Sequence, residues 1–472
     1  MPQTLVKRLR PRRQDLRVGA DGGAYMTDQP AHHASTSLLR VLGLVFGMAV
    51  VVGGVIGSGI MRAPGVVAQG LTSTPLILVA WALGGGVAML AAMPLVEAGS
   101  SVPYAGGPYP IAKRAFGPTV GFLTGWLGWL QYTASNAFIS VVFGEYVHRL
   151  GLATAAPTNV LACGLILAVG GINLTGTRIS GASQSIASGL KGAAFLFLVV
   201  VLYASPRAHA AVAPLHPLAA VTSIAALVMA VRVIYQTYGG WDGAIYFSEE
   251  VHRPDRNVAR ATFWGIGLVT VLYVLVNAAV LHVLTPAAIA GSPLAVGDAA
   301  KISLGPAGDI VITALGLFSL AAIVNLQIMA ASRITFRMAK EGALPPWLAA
   351  VAKGGAPRRS VAVLVIFSLM FAASGSYESI VKIYAPWSIA PILIVCLASI
   401  RLRMAEPFLP RPWKMPLFPW IAILASLVQF GLIAVVVWDD PIGGLWSAAA
   451  ALAPIPIYLA FAKTWRAQAA AL

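Results

Sequence analysis

From residue 39 onward the chain is a series of apolar runs separated by short gaps rich in Pro, Gly and charge. Twelve runs stand out, at about 39–68, 75–100, 117–147, 158–174, 180–204, 221–248, 259–284, 307–338, 359–374, 377–400, 416–438 and 442–462. Their lengths cluster near the ~20 residues that an α-helix needs to cross a bilayer, so each is read as a membrane-spanning helix. The ninth and tenth are parted only by Ser374, Gly375 and Ser376. Ahead of residue 39 the chain is basic up to Arg17 and polar afterwards, with no short apolar stretch or cleavage site. It reads as a cytoplasmic tail over 1–38 rather than a signal peptide.

Composition sharpens this picture. Of 472 residues, 58% are hydrophobic and 10% charged, against roughly 25% charged in soluble proteins. The chain lacks the material for a water-facing surface, and no soluble domain is visible between the runs. Net charge is +16, which topology explains better than a nucleic-acid partner. Most of the 32 Lys and Arg residues fall in the tail and in or beside alternate gaps, whereas the other gaps hold only Arg149, Arg207 and Lys301, with Lys382 near the start of the tenth run. That bias puts both termini in the cytoplasm of a multi-pass inner-membrane protein, with the basic tail free to touch anionic lipid. Both cysteines, Cys163 and Cys396, lie inside apolar runs, so neither a disulfide framework nor a metal site is expected, and no cofactor is implied.

Two runs carry unusual chemistry. The first contains GVIGSGIM at 54–61 behind Gly53, and the sixth contains YGGWDG at 238–243. Glycine weakens a helix by about 1 kcal/mol, and small-residue patterns also serve close helix packing. Here the glycines are nearly consecutive, recur in corresponding runs, and accompany Asp242 at membrane depth. Unwound backbone is tolerated in a bilayer only where it lines a cavity or is buried in protein. Paired interruptions of this kind point to a transporter site between inverted repeats. The freed N–H groups and positive dipole end of the outer half-helix suit a carboxylate, and the freed carbonyls suit an ammonium group. A zwitterion fits both.

Four motifs in order then resemble the amino acid–polyamine–organocation superfamily and are similar to its L-type branch. They are GVIGSGIM; Trp81, Gly84, Gly85 and Glu97 leading into VPYAGGPY at 102–109; YGGWDGAIYFSEEVHRPDRN at 238–257; and SRITFRMAKEGALP at 332–345. The resemblance implies an all-α membrane protein of twelve helices with a LeuT-type five-plus-five inverted repeat, in which helices one and six are discontinuous. The first repeat would span 39–204 and the second 221–400. Two further helices would follow over 414–462, then a short cytoplasmic tail at 463–472.

The resemblance also implies that the Ser58 and Gly59 amides meet a substrate carboxylate, while the carbonyls of Val55, Gln236 and Gly239 take its amino group. Relatives usually carry an aromatic lid where this chain has Gln236, flanked by Tyr235 and Tyr238. Lys191 matches a lysine that replaces the coupling cation in sodium-independent members, although a lysine near a helix end also snorkels. For Asp242 three readings stay open: contact with a cationic substrate, titration during transport, or acceptance of hydrogen bonds from the unwound backbone. Gln131, Asn136, Trp241 and Trp387 are pocket or gate candidates with packing as the alternative. Glu249, Glu250, Arg253 and Arg256 form a mixed-charge cytoplasmic loop, either solvated or paired so as to gate the inner exit. Residues 148–157 contain no cysteine, so no covalent heavy-chain partner is expected.

The function expected is secondary-active, sodium-independent amino acid transport by alternating access, with neutral or broad specificity. The rivals are a carrier of cationic amino acids or polyamines, and a membrane sensor that binds amino acids without carrying them. An enzyme is disfavoured, since no nucleophile motif or metal-ligand spacing is present.

Overall fold

The computed structural model describes residues 42–470 apart from 58, 206–223, 291, 293, 353, 375 and 376. Ser58 and the tail at 1–38 therefore lie outside the described residues, as does Arg207. The described chain is helical, with one isolated bridge between Leu42 and Val251. In order it forms α1 (Leu44–Val55), α2 (Gly59–Gly70), α3 (Thr74–Ser101), α4 (Pro108–Phe116), α5 (Pro118–Arg149), α6 (Thr158–Thr175), α7 (Thr177–Ala204) and α8 (Ile224–Thr237). A 3-10 turn over Trp241–Phe247 follows, then α9 (Pro254–Val283), α10 (Pro286–Ala290), α11 (Ala295–Leu304), α12 (Pro306–Lys340), α13 (Arg358–Ser374), α14 (Tyr377–Ala405), α15 (Trp420–Asp439), α16 (Pro441–Leu452) and α17 (Ile455–Ala470).

Helix covers most of the described part of every apolar run, but not every helix has the length and apolarity of a membrane span. Among the described residues eight do, or nine when the bent pair α1 and α2 counts as one. The difference from twelve has local causes. Helix α13 is only 17 residues long, and α8 stops at its glycines after 14. Helix α5 carries Thr124, Thr133, Ser135, Asn136 and Ser140 on faces buried against other helices, where apolarity toward lipid is not required. Short helices α4, α10 and α11, the first two started by Pro108 and Pro286, fill gaps that the hydropathy pattern leaves blank. At the C-terminus α17 carries helix through to Ala470, over most of the stretch read as a tail.

Both interruptions are present. Helices α1 and α2 are bent by 45°, with Ile56 between them in extended backbone (ψ 95). Helix α8 ends at Thr237, and Gly240 adopts φ +99 before the chain tightens into the 3-10 turn. A left-handed φ strains any residue with a Cβ, which is why glycine stands there.

Close packing fixes where the breaks lie. A Cβ on Gly53 would fall 2.0 Å from Ser188 Oγ, so glycine lets α1 lie directly on α7. Beside this contact a buried chain of amides and hydroxyls crosses four helices. Asn173 Nδ2 donates to Asn325 Oδ1 at 2.9 Å, Asn325 Nδ2 to Gln184 Oε1 at 3.1 Å, Gln184 Nε2 to Ser188 Oγ at 3.4 Å, and Ser188 Oγ to the Ala49 carbonyl at 2.6 Å. Hydrogen bonds within a low-dielectric bundle hold α1 in register against α6, α7 and α12.

Candidate functional site

The two breaks touch backbone to backbone. A Cβ on Gly54 would lie 2.9 Å from the Gly240 carbonyl oxygen, and one on Gly240 only 2.7 Å from that of Gly54. The carbonyls freed by unwinding find side-chain donors from neighbouring helices. The Tyr273 hydroxyl on α9 donates to the Val55 carbonyl at 2.7 Å and lies 3.3 Å from that of Thr237, bridging both breaks. Lys191 on α7 is fully buried, with Nζ donating at 3.0 Å to the carbonyls of both Gly53 and Ile56. Ser319 Oγ on α12 also donates to the Ile56 carbonyl at 3.0 Å. Lys191 thus sits against the first break and does not snorkel, since no part of it reaches solvent. These bonds satisfy backbone that would otherwise cost several kcal/mol per group inside a bilayer.

Around this contact the sequence-derived residues separate into two groups. Gly59 opens α2 beside Thr237, whose Cγ2 would lie 3.0 Å from an added Cβ. Gln236 and Gly239 are exposed at the second break, where the Gln236 carbonyl accepts the Gly239 N–H at 3.0 Å. Trp241 and Asp242 are buried just beyond, and Asp242 Oδ2 accepts from the Tyr246 hydroxyl at 3.2 Å. Gln131 lies on α5 facing the Tyr384 hydroxyl. The remaining candidates point elsewhere. Tyr235 donates to Gln429 Oε1 on α15 at 2.7 Å, and Tyr238 to the Trp81 carbonyl on α3 at 2.8 Å, so neither hydroxyl is turned over the exposed backbone. Asn136 Nδ2 reaches Ser368 Oγ on α13 at 3.5 Å, and Trp387 Nε1 donates to the Ser447 carbonyl on α16 at 2.9 Å. Both are bonded to helices other than those that carry the breaks.

Tyr273, Ser319 and Thr237 were missed in the sequence. A lone tyrosine in VLYVLVN at 271–277 was the available signal, since a buried phenol hydroxyl needs a partner.

At one end of the bundle the acidic pair of the 238–257 motif is bonded across the fold rather than within its loop. Glu250 takes two hydrogen bonds from Arg333, at 2.8 and 3.0 Å, and both side chains are almost wholly buried. Glu249 pairs with Arg337 at 2.6 Å. Pairing with Arg253 and Arg256, the arrangement suggested by their adjacency, gives way to two arginines one helical turn apart on α12. Arg337 lies over the Tyr104 ring at 4.0 Å and pairs with Glu341, which also binds Lys113 and the Tyr109 hydroxyl. This end is therefore closed by ion pairs joining α4, α12 and the segment after the second break.

Burial pulls the Glu341 carboxyl upward, but the charges of Arg337 and Lys113, with hydrogen bonds from Lys113 and Tyr109, outweigh it and hold it below the usual carboxylate range. A depressed folded value contributes stability that is complete above the unfolded value near 4.5 and is lost as pH falls through the folded one. Glu341→Gln is expected to lower stability at pH 7 by roughly 1.5 kcal/mol, the worth of a charged hydrogen bond. The gap from wild type should narrow as pH falls below the unfolded value near 4.5. Thermal melts of the detergent-solubilised pair across pH 3.5–8 read this out, and a gap constant over that range contradicts it.

Comparison with known proteins adds an independent line. Residues 37–458 match the family model described as amino acid permease. The chain is 29% identical over 418 residues to a b(0,+)-type amino acid transporter 1 of Mus musculus, covering 85% of this chain and 84% of the relative. It is 29% identical over 437 residues to large neutral amino acids transporter small subunit 2 of Homo sapiens, covering 89% of this chain and 80% of that one.

Proposed function

Because the chain belongs to the amino acid permease family, we propose that the contact between its two broken helices is the site at which an L-amino acid is held and carried across the membrane by alternating access. The observation that carries the reading is the Gly54–Gly240 contact, where carbonyls of both breaks gather beside exposed Gln236 and Gly239. The N-terminus of α2, with the amides of Ser58 and Gly59, takes the substrate carboxylate, as a helix N-terminus does for anions. The carbonyls of Val55, Gln236 and Gly239 take its ammonium group. Tyr273 holds the Val55 carbonyl, and an arriving ammonium group competes with that hydroxyl. Residues 39–204 and 221–400 form the two inverted repeats, followed by helices at 414–462. Both termini face the cytoplasm, in the inner membrane, and the ion-paired end is the cytoplasmic one.

Lys191 fills the position of a coupling cation, making transport sodium-independent, with neutral or broad side-chain specificity. One relative is named a small subunit. In this chain Cys163 and Cys396 lie within α6 and α14, so association with a larger subunit, where it occurs, proceeds without a disulfide.

Uptake into proteoliposomes of a panel of labelled amino acids and polyamines tests the reading. Amino acid uptake is expected, unchanged when sodium is replaced by choline. Uptake of polyamines alone, or amino acid binding without uptake, overturns it in favour of an amine carrier or a sensor.

A further inference from the structure

From Trp420 to Trp438, helix α15 is apolar apart from Ser426 and Gln429. Ser426 returns its hydroxyl to the Ala422 carbonyl of its own helix at 2.8 Å. Gln429 has no such local use. It is 0% exposed, and its Oε1 accepts the Tyr235 hydroxyl of α8 at 2.7 Å. Its Nε2 is buried with no partner among the described residues. An amide buried at this depth costs free energy that a single hydrogen bond recovers only in part. The presence of Gln429 in an otherwise apolar helix therefore points to Tyr235.

Tyr235 stands where α8 gives way to the second break. The Tyr238 N–H is shared between the carbonyls of Ile234 and Tyr235, at 3.1 and 3.2 Å, and the Gly239 N–H reaches back only to Gln236. The helix tightens from this turn onward, as helices do at their ends. Two faces of the turn are held differently. Ile234 and Tyr238 pack on Gly84 of α3, where an added Cβ would lie 2.3 and 3.0 Å from them. The Tyr235 ring packs instead with Ala385 and Ile389 of α14 and Val436 of α15, in a small cluster apart from the main core. One turn earlier, Arg232 pairs at 2.7 Å with Asp439, whose side chain is 59% exposed at the end of α15. Exposed pairs of that kind hold little, which leaves the Tyr235–Gln429 bond as the firmer tie between α8 and α15.

We propose that Gln429 is a positioning residue for the substrate site. Through the Tyr235 hydroxyl it sets the rotation of the last turn of α8, and with it the direction of the Gln236 and Gly239 carbonyls. This rests on the reading that those carbonyls hold the substrate amine. It gives α15, which follows the two repeats, a part in substrate binding.

Uptake of labelled leucine into proteoliposomes, with thermal melts of the same preparations, tests the assignment. Tyr235→Phe and Gln429→Leu are each expected to raise KM about fivefold, the worth of one neutral hydrogen bond. The maximum rate is expected to stay within twofold of wild type, since the loss falls on binding. The double variant is expected to match the weaker-binding single variant, because either change removes the same bond. Asp439→Asn, which loosens α8 at its exposed end, is expected to leave KM within twofold. Lower melting temperatures with KM unchanged reduce the pair to glue between helices and overturn the proposal. An additive double variant overturns it too, as does an equal effect of Asp439→Asn. Should Gln429→Leu not fold, Tyr235→Phe, which keeps the ring, decides against Asp439→Asn. Failure of the underlying reading looks different: wild-type protein then takes up neither leucine nor any other amino acid tested, and the proposal falls with it.

Discussion

Gly240→Ala is expected to reduce uptake about 100-fold, equivalent to roughly 2.7 kcal/mol, and to lower the melting temperature at the same time. Two separate effects act at this position. Its φ of +99 belongs to a region where a Cβ costs about 1–2 kcal/mol. The new methyl would also stand 2.7 Å from the Gly54 carbonyl oxygen and 2.8 Å from its carbon. Those are backbone atoms, held on the other side by the packing of Gly53 against Ser188, so they have little room to withdraw. Relief requires the breaks to separate, and separation disperses the carbonyls that we propose hold the substrate amine. Gly117→Ala supplies the control. Gly117 has φ +90, but a Cβ there meets nothing within 4 Å, so it carries the strain without the collision. Proteoliposome uptake by this control is expected to stay above about half of wild type, the range of a surface strain of that size. Equal uptake by Gly240→Ala and Gly117→Ala would remove the close approach of the breaks as an explanation.

The breaks were legible in the sequence because they interrupt a strong signal: consecutive glycines inside runs that are otherwise Val, Leu and Ala. The family was legible for the same reason, since its motifs cluster where backbone geometry admits few residues. What lay around the breaks was harder to read. In a helix apolar on all sides no periodicity reveals which face looks inward, so Asn136 and Trp387, bonded outward to Ser368 and Ser447, were indistinguishable from Gln131. Tyr273 and Ser319 act on carbonyls far away in sequence, and a side chain's backbone partner leaves no mark in its own neighbourhood. Adjacency misled in the charged loop. Glu249 and Glu250 look suited to Arg253 and Arg256, yet arginines 88 and 83 residues away capture them. There α12 offers donors preorganised by packing, and a guanidinium fork matches a carboxylate edge better than a solvated neighbour does.

Lys191→Ala is expected to reduce transport by about 100-fold or more, and to do so without exposing a sodium requirement in the wild type. Lys191 is buried to 0% exposure, so its ammonium group has exchanged water for the carbonyls of Gly53 and Ile56. Both belong to the last turn of α1 and the unwound residue after it. Charge-assisted bonds of this kind are worth roughly 1.5–3 kcal/mol each, and truncation removes both while opening a cavity between α1 and α7. The Ile56 carbonyl keeps Ser319, but the Gly53 carbonyl loses this partner, and the segment that presents Val55 is no longer pinned. Lys191→Arg is a stringent companion, because a guanidinium keeps the charge but not the shape of a fully enclosed site. Rescue by arginine would mean that charge alone matters; failure of both variants means that the ammonium's two-carbonyl geometry does. Sodium is informative in the Ala variant as well. The vacated space is lined by the carbonyl oxygens of Gly53 and Ile56, the second of which also holds Ser319 Oγ, and oxygens are the hard ligands that alkali cations prefer. Partial recovery by sodium but not by choline would identify the lysine as a built-in substitute for the ion. Wild-type uptake that collapses in choline, or an Ala variant within twofold of wild type, would mean that the buried ammonium serves packing and not the transport cycle.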